Sequence, residues 1–208
     1  MELDPRTTAL MIIHCQGDVV GPDGAFADFF YQQVVERDVI AKIATLADTF
    51  RNAGGTVVYT RVAWKPDFSD LQVNSPILGV VQQSGCLKQG SPLTEIVEPL
   101  TPHDGDLVID HQRVGGFAGS GLDEALRSRA ITSLAFAGVA TNFSVEGTAR
   151  VASDLGYHTV IVADACCAAS PAAHDASIES LGLLADISTI DDVTHALTSN
   201  SVTTGGPT

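Results

Sequence analysis

Two histidines and a serine stand at the ends of short apolar runs. His14 closes Ala9–Ile13, His111 closes the run Asp106–Asp110, and Ser144 follows Leu134–Ala137, Gly138 and the polar pair Thr141 and Asn142. An imidazole titrating near neutrality takes or releases a proton at physiological pH. A serine hydroxyl is a weak nucleophile until a base removes its proton. Runs of this kind read as buried strands, and open α/β sheets gather ligands at their strand ends. Convergence of the three side chains would make a site for a small molecule.

Other residues near these ends could serve it. Gln16 and Asp18 follow His14, Arg61 and Trp64 follow the second run, Arg113 and Phe117 follow the third, and Asn142 neighbours Ser144. Arg61 or Arg113 could hold a carboxylate, although each could equally make a structural ion pair. Phe26, Phe29, Phe30 and Trp64 could line an apolar pocket or pack in the core. Asp18 is preferred to Asp110 as a site residue, because strand alternation turns Asp110 away from the side that His111 faces.

The elements that must position these groups alternate strand and helix. Ala9–Ile13 is too short to span a helix comfortably and reads as a strand buried on both faces. Val34–Asn52 reads as a helix, with Val35, Val39, Ile43, Leu46 and Phe50 on one face, and Gly54-Gly55 ends it. Thr56–Thr60 is the second strand, so the chain opens with the unit of a parallel sheet. Residues 63–91 have no clean period and are punctuated by proline and glycine, as lids and partner-contact segments often are. Pro92–Val97 is a short helix, and Asp106–Asp110 the third strand. A helix through Leu122 and Leu126 is capped by Ser120. Ile131–Ala137 is the fourth strand, Thr141–Leu155 a helix, Thr159–Ala163 the fifth strand, His174–Leu183 a helix and Leu184–Ile190 a sixth strand. Met1–Thr8 reads as a leading arm, and the final SVTTGGPT as a frayed end.

Composition narrows the function classes. With 208 residues and 45% apolar side chains, a single domain spanning the chain (core about 8–190) is expected. The 25 acidic against 11 basic residues give a net charge of −14. That opposes general binding to nucleic acid or to an anionic membrane. The four cysteines, Cys15, Cys86, Cys166 and Cys167, match no zinc or disulfide framework. The first residues do not read as a secretory leader and no apolar run is long enough to suggest a membrane span, so a cytoplasmic protein is the expectation.

On these residues the chain resembles the isochorismatase-like cysteine hydrolases, a group that includes isochorismatases, nicotinamidases and N-carbamoylsarcosine amidohydrolases. The likeness runs from about Thr8 to Ile190 and is densest over Gly138–Arg150, GVATNFSVEGTAR. It implies a three-layer α/β/α fold with a mostly parallel six-stranded sheet in the order 3-2-1-4-5-6. It also implies a homodimer or homotetramer. A non-proline cis peptide is implied between Val139 and Ala140, in a turn whose amides, with Ser144, would form an oxyanion hole.

The family's chemistry rests on an aspartate, a lysine and a cysteine, and the resemblance puts these at His14, His111 and Ser144. All three types differ here. Some members bind zinc after the second strand, but Arg61–Asp67 holds no ligand cluster, and His14 with His111 lacks a third ligand. No cofactor is expected. Three readings follow. Two histidines could do acid–base work on a small organic molecule, with Ser144 as a pocket hydroxyl. The chain could instead be catalytically silent and bind a small molecule or a partner. Or Ser144 could be the nucleophile of an amidase or esterase, with His14 as its base and Asp18 or Asp110 orienting the imidazole.

Overall fold

The computed structural model describes residues 3–200. In chain order these form β1 (Thr8–Ile13), α1 (Gly17–Val20), α2 (Ala27–Glu36), α3 (Val39–Asn52), β2 (Thr56–Val62), α4 (Pro76–Ser84) and β3 (Leu107–His111). There follow α5 (Leu122–Ser128), β4 (Ser133–Val139), α6 (Glu146–Asp154), β5 (His158–Cys167), α7 (Pro171–Leu181), β6 (Asp186–Ser188) and α8 (Ile190–Asn200). The six strands make one sheet in the order β3-β2-β1-β4-β5-β6, and every neighbouring pair is parallel. This is the order and the three-layer arrangement that the resemblance implies.

Strand alternation builds the layers. Along β1, Leu10 and Ile12 join one buried cluster with Ile43, Leu46 and Phe50 of α3 and Val193 and Leu197 of α8. Ala9, Met11 and Ile13 join the other, with Leu122 and Leu126 of α5, Ala149 and Ala152 of α6 and Leu181 of α7. Helices thus cover both faces of the sheet, which is why the central strand is an unbroken apolar run. Among the described residues no helix is long and apolar enough to cross a membrane.

The structure departs from the sequence expectations in several places. The single helix expected over Val34–Asn52 is two, α2 and α3, separated at Asp38, whose φ of 53° is left-handed. Thr141–Leu155 does not begin as an α-helix, because Thr141–Val145 is a π-helical turn and α6 starts only at Glu146. The irregular stretch 63–91 contains α4, which starts on Pro76, where a missing N–H costs nothing. The leading arm is not loose, since Leu3 is fully buried in the core and Thr8 already belongs to β1. The sixth strand shrinks to Asp186–Ser188, and α8 follows it unanticipated. The stretch read as a frayed end, Ser201–Thr208, lies outside the described residues.

Gly138 shows how closely β1 and β4 approach beneath the site. It pairs with Ile13 at a φ of 125°, and a Cβ there would stand 2.3 Å from the Ile13 carbonyl oxygen. Neither backbone can yield without breaking the central ladder. Gly138→Ala is expected to destabilise the protein by roughly 2 kcal/mol or more, through strain at a left-handed position and a backbone clash. Urea unfolding measures this; a midpoint shift worth under about 0.5 kcal/mol would mean the two strands are not so tightly joined.

Candidate active site

β1, β3 and β4 deliver the three expected groups to one end of the sheet. His14 is the first residue beyond β1 and leaves it with a φ of 50°, an uncommon conformation for a side chain of this size. Its amide donates to the Thr60 carbonyl at 3.2 Å. His111 is the last residue of β3, and its carbonyl accepts from the Ala63 amide. β2 lies between these strands, so both backbones are pinned to its end and the two side chains meet there.

They meet through their nitrogens. His14 Nε2 and His111 Nε2 are 2.9 Å apart, while the ring centroids are 4.9 Å apart with planes inclined by 28°. The nitrogen separation is much the shorter, so the rings touch along their edges and share a hydrogen bond. Such a contact holds one proton: one Nε2 donates and the other accepts. Burial pushes the His14 pKa well below the ordinary value, and the nearby His111 ring adds to the effect. Burial lowers His111 to about 4, with the Arg113 backbone and the Asp110 charge offsetting part of that. Both rings are therefore neutral at neutral pH.

The pair is asymmetric toward solvent. His111 is 0% exposed, and its Nδ1 is buried without a hydrogen-bond partner. His14 is 5% exposed and lines a cavity. Its Nδ1 has no protein partner and is not sealed off like that of His111. The contact admits two tautomers, and the one that leaves His14 a free lone pair keeps the His111 ring proton off Nε2. With that proton on Nδ1, His111 Nε2 accepts, His14 Nε2–H donates, and His14 Nδ1 keeps an open lone pair.

The cavity is small, about 60 Å³, and opens to solvent at its mouth. His14, Ser144, Val139, Ala140, Trp64 and Arg113 all border it, together with Phe26, Phe30 and Phe143 and aliphatic side chains of α4 and its neighbours. The Val139–Ala140 peptide is cis, where the resemblance puts such a bond. Ser144 is 7% exposed, and its hydroxyl makes no hydrogen bond to His14 or to any other described residue. Its carbonyl accepts from the Thr148 hydroxyl, which in turn accepts from the Gly116 amide at 3.0 Å. The turn is thus tied to the loop that carries Arg113.

The remaining expected residues stand behind the wall or away from it. The Gln16 amide donates to the Val62 and Thr94 carbonyls at 2.8 and 2.7 Å and accepts from the Val62 amide, so it clamps the ends of β1 and β2. Asp18 accepts from the amide of Leu87, a wall residue, at 2.8 Å. Arg61 grips both oxygens of Asp110, at 2.7 and 3.0 Å, and also Glu95, which braces the end of β3. Phe117 packs against Tyr157, and Asn142 Oδ1 is buried without a partner. Phe29 is 52% exposed and does not border the cavity, unlike Phe26 and Phe30.

Sequence reading did not find the support beneath the Ser144 turn. His174 Nδ1 lies 2.8 Å from the Thr141 hydroxyl, and Arg37 Nη2 lies 3.1 Å from His174 Nε2. Arginine only donates, so neutral His174 accepts at Nε2 and donates from Nδ1. Arg37 also donates to the carbonyls of Cys166 and Ala163. No local motif marks this chain, because its members are more than thirty residues apart. All four cysteines are buried and unpaired, and burial raises Cys166 and Cys167 to about 12, so none offers a thiolate. Among the described residues no group of three or more His, Cys, Asp and Glu is placed to hold a metal ion.

Residues 8–192 match the isochorismatase domain family. The chain is similar to an uncharacterized isochorismatase family protein, YecD, of Escherichia coli O157:H7, at 30% identity over 95% of this chain and 100% of that one. It is also similar to the ureidoacrylate amidohydrolase RutB of Methylobacterium radiotolerans, at 32% identity over 81% of this chain and 70% of that one. A solved cysteine hydrolase from Pseudomonas syringae pv. phaseolicola 1448A superposes with a TM-score of 0.85 at 24% identity, over 96% of each chain, a likeness of fold.

The neutral, buried pair makes stability depend on pH. Below 6.5 the unfolded chain protonates its histidines, whereas folded His111 resists down to about 4. The stabilisation is complete above that upper value and falls as the pH drops through the window. For His111 alone it amounts to about 3 kcal/mol at most. Denaturant unfolding from pH 7 to pH 4 should show the native chain losing more stability than His111→Gln; parallel curves would mean the ring is not held neutral.

Proposed function

The chain belongs to the isochorismatase family, and from that premise we propose that it is a hydrolase in which His14 is the acid–base group acting on a small organic molecule. The contact between the two Nε2 atoms, at 2.9 Å, carries the reading. It leaves His14 with one nitrogen turned to the cavity and one engaged by His111. The family's members are hydrolases, and the likeness to a protein named as an amidohydrolase supports an acyl bond as the one cleaved.

In the proposed reaction His14 Nδ1 takes a proton from water as the water oxygen adds to the acyl carbon. The new positive charge is shared toward His111 through the Nε2 contact. The proton then passes from His14 Nδ1 to the leaving nitrogen or oxygen as its bond to the acyl carbon breaks. His111 touches no substrate in this scheme; it is a positioning residue that fixes the tautomer of His14. The turn at Val139 and Ala140 borders the developing oxyanion. Ser144 supplies a hydroxyl to the pocket, and its lack of a hydrogen bond to a base favours this role over that of nucleophile.

The reading gives a kinetic signature. His14→Ala should lower kcat/KM by about 10²–10⁴-fold with the fold retained. The acid limb of the pH–rate profile should fall below the ordinary imidazole value of 6.5, because His14 is held low. His111→Gln removes the neighbouring ring that helps depress His14, so the acid limb should move to higher pH. Steady-state kinetics across pH on the three proteins checks this. Full activity in His14→Ala, or an acid limb unmoved by His111→Gln, would sink the assignment.

A further inference from the structure

We infer that the cavity selects molecules with an apolar or aromatic body and a single carboxylate, and that Arg113 is the residue that recognises the carboxylate. The inference rests on reading this cavity as the substrate site. Apart from His14, Ser144 and Arg113, the wall is hydrocarbon, aromatic or indole, and none of its residues is acidic. A polar molecule would lose water there without gaining partners, whereas an apolar body gains by burial.

Arg113 differs from most arginines of this chain, and from Arg37, whose guanidinium is engaged by two carbonyls and His174, in bordering the cavity. With 25 acidic residues against 11 basic ones, carboxylates are plentiful. Arg6, Arg127 and Arg150 each hold one, and Arg51 and Arg61 each hold two. Arg113 instead donates to two neutral oxygens, the Gln112 carbonyl at 3.2 Å and Gln72 Oε1 at 2.9 Å. Its charge is uncompensated by any carboxylate among the described residues. A guanidinium has five donors in a planar fork, so three remain to meet a carboxylate.

The same observations limit the ligand to one negative charge. The chain's net charge of −14 repels anions at a distance. Arg113 is the only charged side chain in the wall, so a second carboxylate would be buried against hydrocarbon without a partner.

Trp64 is the chain's one tryptophan, and it lines the cavity, so its fluorescence reports occupancy directly. Benzoate, benzamide and phthalate are titrated into the native chain and into Ser144→Ala, Arg113→Gln and Arg113→Lys, with circular dichroism as a check on folding. Benzoate should bind saturably and at least about tenfold more tightly than benzamide or phthalate, a difference expected of a hydrogen-bonded charge. Arg113→Gln should bring benzoate to the level of benzamide, and Arg113→Lys should keep part of the preference. Equal binding of benzoate and benzamide by the native chain, no saturable binding of benzoate, or a preference that survives Arg113→Gln would each overturn the inference. Binding is read without turnover. A benzoate preference that persists beside full activity in His14→Ala would therefore reject the catalytic reading and leave this one standing.

Discussion

A hydrogen bond between two neutral imidazoles, closed off from bulk water, governs the character of this site. In water two histidines 2.9 Å apart would exchange protons freely with solvent, and either could be cationic. Here burial disfavours the charged form of each ring, and the His111 ring adds to the effect at His14. One proton in the contact is the arrangement that leaves both neutral. Everything chemical at the cavity follows from which nitrogen is then left facing it.

The scaffold exists to keep that contact. β2 separates the strands that carry the two histidines, and both backbones bond to it, His14 through the Thr60 carbonyl and His111 through the Ala63 amide. Gln16 ties the end of β1 to β2, and Arg61 with Asp110 ties β2 to β3. On the other side of β1, Gly138 allows β4 to approach closely enough for the Ser144 turn to border the same cavity. The turn is held from below by Thr141, His174 and Arg37. A rigid frame matters here because a shift of about an ångström would break the imidazole bond and leave two buried rings unpaired.

Much of the frame was legible in the sequence. Apolar runs ending in His14, His111 and Ser144 mark strand ends in any parallel sheet, and the motif around Gly138 marks the turn. What could not be read was depth and long-range pairing. Strand position says that His111 and His14 share an end of the sheet, but not that His111 is sealed behind His14. Gln16, Asp18 and Arg61 looked available because their partners, Val62, Leu87 and Asp110, lie 46, 69 and 49 residues away. Arg113 carries the same kind of side chain as Arg61 and was given the same expectation; only the fold shows that one faces two carboxylates and the other faces a cavity. The π-helical start of the Thr141 segment was hidden for a related reason, since its geometry is set by the turn before it and not by local helix propensity.

The most direct measurement is nitrogen-detected NMR of the histidine side chains as the pH is lowered. The account expects His14 and His111 both to be neutral near pH 7, with one donating and one accepting at Nε2, and His111 to remain neutral until the pH nears about 4. An imidazolium at either residue near neutrality, or a proton on both Nε2 atoms, would contradict it.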